Sequence, residues 1–529
     1  MNSLKYIALI LFISSGNLFS QSSNEWIKSY GSGADSYDEG IDIVADIYGN
    51  IYVAGNSIRN KRSDIVLLKY NPGGDLVWSR TFDEFTGNDV ATDMDIGSDG
   101  CVCIAGYSDN SIFNPEYITI KYDPAGNLLW AKRYSYPGYA GAMATALDID
   151  NENSVYVTGV LQNFNSKNFT IKYTSQGDTV WTSFRYLGLY GYNPVTINVD
   201  KQKNVYCATG DYYTEVHRFD SSGIKRQGAQ NSYGNVLSKN GSVLAENALY
   251  VVGNNLSFFE GTPQYYFQKY RPYNFGPVLQ RGYFCLGLVN RFDSAKAVAL
   301  GLAENVFVTG KSCDSISCFI STVKLDSNFT IKWESVYRTN TNFYSGGNAI
   351  VMEKNGYNMY MTGANDNYLT IKYKQGNGDT LWVRQYNGVG NGIDVSNAIA
   401  IDSSGNVIIT GRSQVSGNDY DIVTIKYYQT IGINSNQSIT PSQYLLMQNY
   451  PNPFNPITLI KYLLPSKNLI SLIIYDARGI EVRKLINSVQ SAGLHDVTFD
   501  GSDLPSGIYF CSLFANDVLI DSKKLILLK

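Results

Sequence analysis

Histidine is almost absent from this 529-residue chain, which contains only His217 and His495. A catalytic triad or a metal site that uses imidazole groups could therefore contain at most these two histidines. His217 occupies a position that isoleucine fills in other copies of an internal repeat, as Ile120 and Ile171. We therefore expect it to be a strand residue, and we expect no catalytic residue, no metal site and no cofactor.

Charge is also scarce, since 17% of the residues are charged and the formal net charge is −4. The 42 Lys and Arg residues never form a run longer than two. Nucleic-acid binding needs clustered positive charge, so nucleic acid is excluded as a partner. The seven cysteines form no C-x-x-C zinc pattern, and the sequence leaves open whether Cys313 and Cys318 pair.

Long hydrophobic runs are missing as well, and the longest at the N-terminus covers residues 6–13, after Lys5. A membrane span needs about 20 apolar residues, so this run is too short to be one. With its basic start and a small residue at Ser20, it predicts a signal peptide over residues 1–20. We expect no transmembrane span in the mature chain.

Glycine and tyrosine are abundant, at 48 and 42 residues, and they fall into an internal repeat. One column of the repeat is an apolar strand that ends in a small residue and glycine, at 51–55, 102–106, 155–159, 205–210, 249–253, 306–310, 359–363 and 407–411. A second column is a basic residue, at Lys69, Lys121, Lys172, Arg218, Lys269, Lys324, Lys372 and Lys426. All six tryptophans form a third column, at Trp26, Trp78, Trp130, Trp181, Trp333 and Trp382.

Each repeat predicts four short strands, joined in pairs by Asp/Asn-Gly turns, over a period of about 51 residues. This pattern is typical of a propeller blade. The fold class is therefore all-β, with a β-propeller of about eight four-stranded blades over residues 21–430. Seven blades remain the alternative, because the fourth and fifth repeats are degenerate.

The two ends of the repeat array predict how the ring closes. Residues 25–30 resemble the tryptophan strand at 129–134, whereas the last repeat has no such strand. We therefore expect residues 25–30 to supply the outer strand of the last blade, which would also cover a bare sheet edge.

The repeats resemble the SBBP-type beta-propeller repeat of bacterial proteins, and residues 405–411 (GNVIITG) are the closest copy. The resemblance covers residues 25–430. It implies a propeller fold and a secreted setting, but it implies no activity, because propellers have many functions.

A polar linker is predicted over residues 431–443, followed by a small Ig-like β-sandwich over residues 444–529. This module resembles the type A sorting domain of the type IX secretion system. The resemblance rests on Asn449, Pro451, Asn452, Pro453, Phe454, Asn455, Pro456, Gly479, Gly507, Tyr509, Lys523 and Lys524. It implies the type IX secretion machinery as a partner, and passage through the periplasm to a secreted or outer-surface location. The sequence does not distinguish an anchored from a released protein.

Aromatic residues in the long connections between strands are the candidate ligand-binding residues. They are Tyr136, Tyr139, Tyr190 and Tyr192, with a further aromatic cluster at 265–275. Exposed aromatic rings stack on sugars or anchor protein partners, and loops on a rigid scaffold often carry function. The alternative is that these rings pack beneath the loops.

Carboxylates also recur in the connections between repeats, at Asp35, Asp38, Glu39, Asp89, Asp293 and Asp394. Glycoside hydrolysis needs two carboxylates at a defined separation. Regular recurrence suits a repeated turn or strand cap better than a catalytic pair.

The leading hypothesis is an exported, non-enzymatic propeller that binds an extracellular glycan or protein. A secreted propeller enzyme is the alternative, either glycan-cleaving or similar to the quinone-dependent dehydrogenases. Many of those dehydrogenases have adjacent cysteines, whereas Cys101 and Cys103 here are separated by Val102. A purely structural role at the cell surface is a further alternative.

Overall fold

A computed structural model describes residues 25–529, apart from 34, 85–86, 111–113, 137–138, 140, 163–166, 187–194, 211–212, 234–237, 247, 256–263, 271–276, 284–291, 315–316, 339–345, 430–443, 447–448, 450–451 and 492. The predicted signal peptide and the predicted linker lie outside the described residues. Within them no helix is long and apolar enough to cross a membrane. The described chain separates into two compact units, with the division between Gln429 and Thr430.

The strands of the first unit are, in chain order, β1 (Glu25–Tyr30), β2 (Tyr37–Ala45), β3 (Ile51–Arg59), β4 (Arg62–Tyr70), β5 (Leu76–Phe82), β6 (Asp89–Ile96), β7 (Val102–Asp109), β8 (Pro115–Tyr122), β9 (Leu128–Tyr134), β10 (Gly141–Ile149), β11 (Val155–Gln162), β12 (Lys167–Tyr173), β13 (Thr179–Tyr186), β14 (Val195–Val199), β15 (Val205–Gly210), β16 (Tyr213–Phe219), β17 (Lys225–Tyr233), β18 (Ser242–Leu244), β19 (Leu249–Asn255), β20 (Gln264–Tyr270), β21 (Pro277–Tyr283), β22 (Phe292–Leu300), β23 (Val306–Cys313), β24 (Cys318–Leu325), β25 (Ile331–Tyr337), β26 (Gly346–Met352), β27 (Asn358–Asn365), β28 (Asn367–Lys374), β29 (Thr380–Tyr386), β30 (Asp394–Ile401), β31 (Val407–Ser416) and β32 (Asp419–Tyr427).

These strands form eight four-stranded antiparallel blades in the described part of the chain. Blade 1 is β2–β5, each later blade takes the next four strands, and blade 8 is β30–β32 with β1. The first strands of neighbouring blades contact one another all the way round, including β30 with β2, so they line a closed ring. The all-β propeller fold is confirmed, with eight blades rather than seven.

Strand β1 closes the ring as predicted. It pairs antiparallel with β32 over its whole length, from Glu25 opposite Tyr427 to Tyr30 opposite Ile422. The last blade therefore takes three strands from the end of the repeat array and one from its beginning. Closure of this kind joins the two ends of the array and leaves no incomplete blade.

The glycine column is explained by a bulge in the first strand. In six blades the first strand carries one extra residue opposite this glycine, as at Thr92 opposite Gly106 in blade 2. A Cβ on Gly106 would overlap the Val90 carbonyl oxygen, so only glycine allows the two strands to approach. The bulged residue reaches the next blade, because Asn397 Nδ2 donates to the Gly40 carbonyl oxygen at 2.9 Å.

The tryptophan and lysine columns join each blade to the next. Trp130 packs on Gly177, in the turn between the third and fourth strands of the next blade, and its Nε1 donates to the Ser175 carbonyl oxygen at 3.2 Å. Lys121, opposite Trp130 in the sheet, donates to the same oxygen at 3.3 Å. The repeat therefore encodes contacts between blades as well as the strands themselves.

The second unit is a two-sheet β-sandwich. Its strands are β33 (Leu445–Leu446), β34 (Ile457–Leu464), β35 (Asn468–Asp476), β36 (Glu481–Gln490), β37 (Gly493–Asp500), β38 (Gly507–Ala515) and β39 (Val518–Leu527). One sheet has the order β33-β34-β37 and the other β36-β35-β38-β39. Alternate residues such as Leu472, Tyr509 and Leu525 fill the core between the sheets.

Candidate functional sites

Connections on one face of the propeller, here called the loop face, join the second strand to the third and each blade to the next. Tyr136 and Tyr139 lie on this face, in the connection between β9 and β10. Their rings meet edge to face, with centroids 5.5 Å apart, and the Tyr136 ring lies 5.8 Å from that of Phe184 near the end of β13. The two tyrosines are half-buried, whereas Phe184 is 48% exposed.

A lysine ammonium holds these three rings together. Lys167, the first residue of β12, is buried, and its Nζ lies 5.9 Å from the Tyr136 ring centroid, 5.1 Å from Tyr139 and 4.8 Å from Phe184. The ring faces attract the cation, so the rings are fixed around it. We call Tyr136, Tyr139, Phe184 and Lys167 the blade 3 aromatic site. Neither Phe184 nor Lys167 was among the residues predicted from the sequence.

The other aromatic candidates divide into two groups. Four of them, Tyr190, Tyr192, Tyr273 and Phe275, lie outside the described residues, so their ligand-binding role stays a prediction. Tyr265 and Tyr266 are buried core residues, and the Tyr265 hydroxyl donates to the Ser321 carbonyl oxygen at 3.2 Å. For these two residues the alternative of internal packing is confirmed.

Three of the recurring carboxylates, Asp38, Asp89 and Asp394, are strand caps. Asp38 accepts the Ser32 backbone N–H at 2.6 Å, and Asp394 accepts that of Gly388 at 2.7 Å. Asp89 likewise accepts from the Glu84 backbone at 2.8 Å. In each case a first-strand aspartate closes the connection that precedes it, as the regular spacing predicts.

Asp64, Asp83 and Asp89 bring one carboxylate oxygen each within 4.8 Å of the others. Burial raises the pKa of Asp64, and the neighbouring charge of Asp83 raises it further. Both oxygens of Asp89 already accept hydrogen bonds, from Ser108 Oγ and from the Glu84 N–H. Asp89 is therefore accounted for by its capping role.

Both histidines lie in strands and contact neighbouring side chains. His217 is completely buried in β16, opposite Cys207 of β15, with its Nε2 3.3 Å from Glu215 Oε2. His495 belongs to the sandwich, where its ring stacks on Tyr462 with centroids 5.4 Å apart.

An acidic cluster in the ring of first strands was not predicted from the sequence. Asp42 and Asp93, from the first strands of blades 1 and 2, both contact the ammonium of Lys239, at 2.5 Å for Asp93 Oδ1. Lys239 comes from the connection before β18 in blade 5, which is opposite blade 1 in an eight-membered ring. The Lys239 side chain thus links opposite sides of the propeller.

Two more carboxyl groups of this cluster lie on β6 and β10. Burial raises the pKa of Asp95 to about 7, helped by the charge of Asp148, and burial likewise raises the pKa of Asp148 to about 7. Asp148 lies in β10 and accepts the Val199 N–H at 2.7 Å.

These raised pKa values predict how stability depends on pH. Asp95 binds a proton more tightly in the folded than in the unfolded chain, so the free energy of unfolding falls as pH rises from about 4 to about 7. Asp95→Asn should therefore raise the melting temperature at pH 8 more than at pH 5. Thermal unfolding at the two pH values tests this, with the exposed Asp178→Asn as the control. Equal effects of Asp95→Asn at both pH values would contradict it.

Some sorting-motif residues in the second unit stabilise the sandwich, and others are exposed. Asn449 and Phe454 are buried, and the Tyr509 hydroxyl donates to the Pro505 carbonyl oxygen at 2.8 Å. Asn452 donates to the Lys524 carbonyl oxygen at 3.0 Å and accepts the Ile526 N–H at 2.7 Å, so the motif lies along β39. Pro451 lies outside the described residues. Pro453, Asn455, Gly479, Gly507 and Lys524 are exposed, and Pro456 and Lys523 are half-buried.

A disulfide bond joins Cys313 and Cys318, the pairing that the sequence left open. The two residues are directly opposite at the end of the β23–β24 hairpin, with Cα atoms 3.9 Å apart. The bond thus closes a connection on the loop face of blade 6.

The closed ring of eight blades followed by a β-sandwich defines an all-β propeller protein with an appended C-terminal module. Residues 448–528 match the family described as Secretion system C-terminal sorting domain. The module is therefore a type IX secretion sorting domain, and the protein is exported through the periplasm and is either secreted or displayed at the cell surface.

Other similarities are more distant. The chain is 28% identical over 163 residues to "Regulatory protein FlaEY" of Caulobacter vibrioides, which is 27% of this chain and 17% of that protein. Saccharomyces cerevisiae Sqt1 is 8% identical, with a TM-score of 0.51 over 76% of this chain and 99% of Sqt1, which shows a shared fold alone. PorZ, a surface component of the type IX secretion system of Porphyromonas gingivalis, is 12% identical, with a TM-score of 0.41 over 92% of this chain and 75% of PorZ. The SBBP-type resemblance stays a prediction.

Proposed function

We propose that this exported propeller is a non-enzymatic binding module whose loop face, at blade 3, takes an extracellular glycan or protein. The observation that carries the proposal is the blade 3 aromatic site. Phe184 presents an exposed ring beside Tyr136 and Tyr139, and Lys167 holds the three rings in place. Rings fixed before binding lose little conformational freedom when a ligand stacks on them.

Glycan is the ligand class to test first. Tyrosine and phenylalanine faces stack on the apolar faces of sugar rings, and the tyrosine hydroxyls add hydrogen-bonding groups. Three rings within about 6 Å of one cation form a compact surface, whereas protein interfaces are usually much larger. Tyr190 and Tyr192 stay candidate ligand-binding residues.

The enzyme alternatives find less support in the described residues. The recurring aspartates Asp38, Asp89 and Asp394 are occupied as strand caps, and a glycosidase needs a carboxyl group that is available to the substrate. Cys101 and Cys103 are buried free thiols, and burial raises the pKa of Cys101 to about 11. These groups have the environment of structural residues rather than of catalytic ones.

A glycan array with the purified protein tests this function. The Tyr139→Ala/Phe184→Ala double variant should lose at least about tenfold in affinity for a bound glycan, since each aromatic contact contributes about 1 kcal/mol. Tyr357→Ala is the matched control, because this tyrosine is 67% exposed in the turn between β26 and β27, on the opposite face.

The possible results separate the hypotheses. Selective binding that the double variant loses and the control keeps would support a lectin with its site on blade 3. Binding that is unchanged in the double variant would contradict this site. A blank array with folded protein would favour a protein partner or a structural role, and pull-downs from the cell surface would then distinguish these two.

A further inference from the structure

One face of the sorting domain combines exposed apolar residues with positive charge. In β38 the side chains of Tyr509, Cys511 and Leu513 point into the sandwich core. Strand alternation therefore turns Ile508 and Phe510 to the outside, where they are 42% and 37% exposed. Natural sheets usually present polar residues on such a face.

Neighbouring strands extend this surface on both sides. Phe510 is directly opposite Tyr475 of β35 and Lys524 of β39, and Ile508 is opposite Ile526. Side chains of directly opposed residues share a face, so these five residues are contiguous. We call Tyr475, Ile508, Phe510, Lys524 and Ile526 the outer sheet face.

Positive charge lines two borders of the outer sheet face. Lys524 is exposed on β39 at one side, and Lys484 is exposed on β36 at the other, opposite Ile473. Ile473 itself is 7% exposed, because the side chains around it cover it. The surface is therefore apolar at its centre and charged at its edges, with Lys524 at the β39 edge and Lys484 beside the exposed Glu481, opposite Tyr475, at the β36 edge. An apolar centre with a polar rim is typical of a protein interface.

The sorting domain must be recognised through atoms that a partner can reach. Motif residues such as Asn449, Phe454 and Tyr509 are buried and maintain the sandwich. Lys524 and Gly507 are exposed motif residues that lie on the strands of the outer sheet face. Part of the family motif is thus accessible on this face.

We propose that the outer sheet face is the surface through which the type IX secretion machinery binds this protein. The complementary surface on the machinery is apolar in its centre and carries carboxylates opposite Lys524 and Lys484. Burial of Ile508 and Phe510 supplies the affinity, and the charge pairs fix the orientation. The inference concerns export, and it is independent of the ligand bound by the propeller.

Export from a cell that carries a type IX system tests the proposal on the full chain. The Phe510→Ser/Lys524→Glu double variant should reach the outside at least about tenfold less than the wild type and accumulate in the periplasm. Ile457→Ser is the matched control, because this residue is 50% exposed on β34 of the other sheet. Its export should be unchanged.

A second variant separates recognition from folding. Lys484→Glu/Lys524→Glu changes only exposed charges, and thermal unfolding of the purified chain should match the wild type while export still falls. Unchanged export in both double variants would overturn the proposal, as would an equal loss in Ile457→Ser. A photo-crosslinker at position 508 should give an adduct with a component of the machinery. An adduct with the protein's own propeller alone would show that the face has another occupant.

Discussion

Replacing Trp26 with alanine should lower the free energy of unfolding of the propeller by about 3 kcal/mol, a drop of several degrees in melting temperature. Trp26 is 9% exposed, packs on Gly74 of blade 1, and donates from Nε1 to the Pro72 carbonyl oxygen at 3.3 Å. It therefore joins blade 8 to blade 1 at the point where the ring closes. Deletion of residues 24–30 should have a still larger effect, because it removes all of β1.

Ile27→Ala is the control for Trp26→Ala. Ile27 is the next residue of β1 and is 40% exposed, so its truncation should cost much less than that of Trp26. Differential scanning calorimetry of the wild type and the three variants measures the effect. Melting curves that do not change on deletion of residues 24–30 would refute closure by β1.

Lys239→Met should destabilise the propeller by about 3 kcal/mol at pH 8, because it leaves two carboxylates without their shared cation. The Lys239 side chain is 16% exposed, and its ammonium contacts both Asp42 and Asp93. Burial alone would lower the pKa of Lys239, but the two carboxylates outweigh it and raise the pKa. The lysine is therefore charged throughout the range from pH 5 to pH 8.

The cost of Lys239→Met should shrink as the pH falls. Burial raises the pKa of Asp93 to about 7 even with the attraction of Lys239, and loss of that attraction raises it further. The folded variant therefore binds this proton at a higher pH than the wild type does, above about 7, and the protonation relieves the unpaired charge. Melting temperatures from pH 5 to pH 8 test this, with the exposed Lys354→Met as the control. An equal loss at pH 5 and pH 8 would contradict the proposed role.

The repeat made most of the fold predictable. Glycine, lysine and tryptophan recur because most blades make the same contacts with the next, as Trp130 does with Gly177. Even the closing strand could be predicted, because Trp26 keeps its column although it lies at the other end of the array. The strand caps at Asp38 and Asp394 were predictable for the same reason.

The blade 3 aromatic site was only half predictable. The tyrosines in the β9–β10 connection stand out in the sequence, but Lys167 and Phe184 come from two other strands of the next blade. Nothing local marks them, since a lysine at a strand start and a phenylalanine near a strand end are ordinary residues. Their role depends on the fold, which places the start of β12 and the end of β13 on the same face as the β9–β10 connection.

The sequence by itself determined the eightfold repeat, the closure of the ring and the sorting domain, because each is written in short, recurring or family-specific patterns. Only the tertiary structure decided which side chains meet across the ring and across the sandwich. Lys239 contacts Asp42, which is 197 residues away in the sequence. The register of the sheet places Phe510 directly opposite Lys524 and Tyr475. Such contacts depend on where the backbone places strands that are far apart in the sequence. The residues around each side chain contain no pattern that predicts which distant strand will lie beside it.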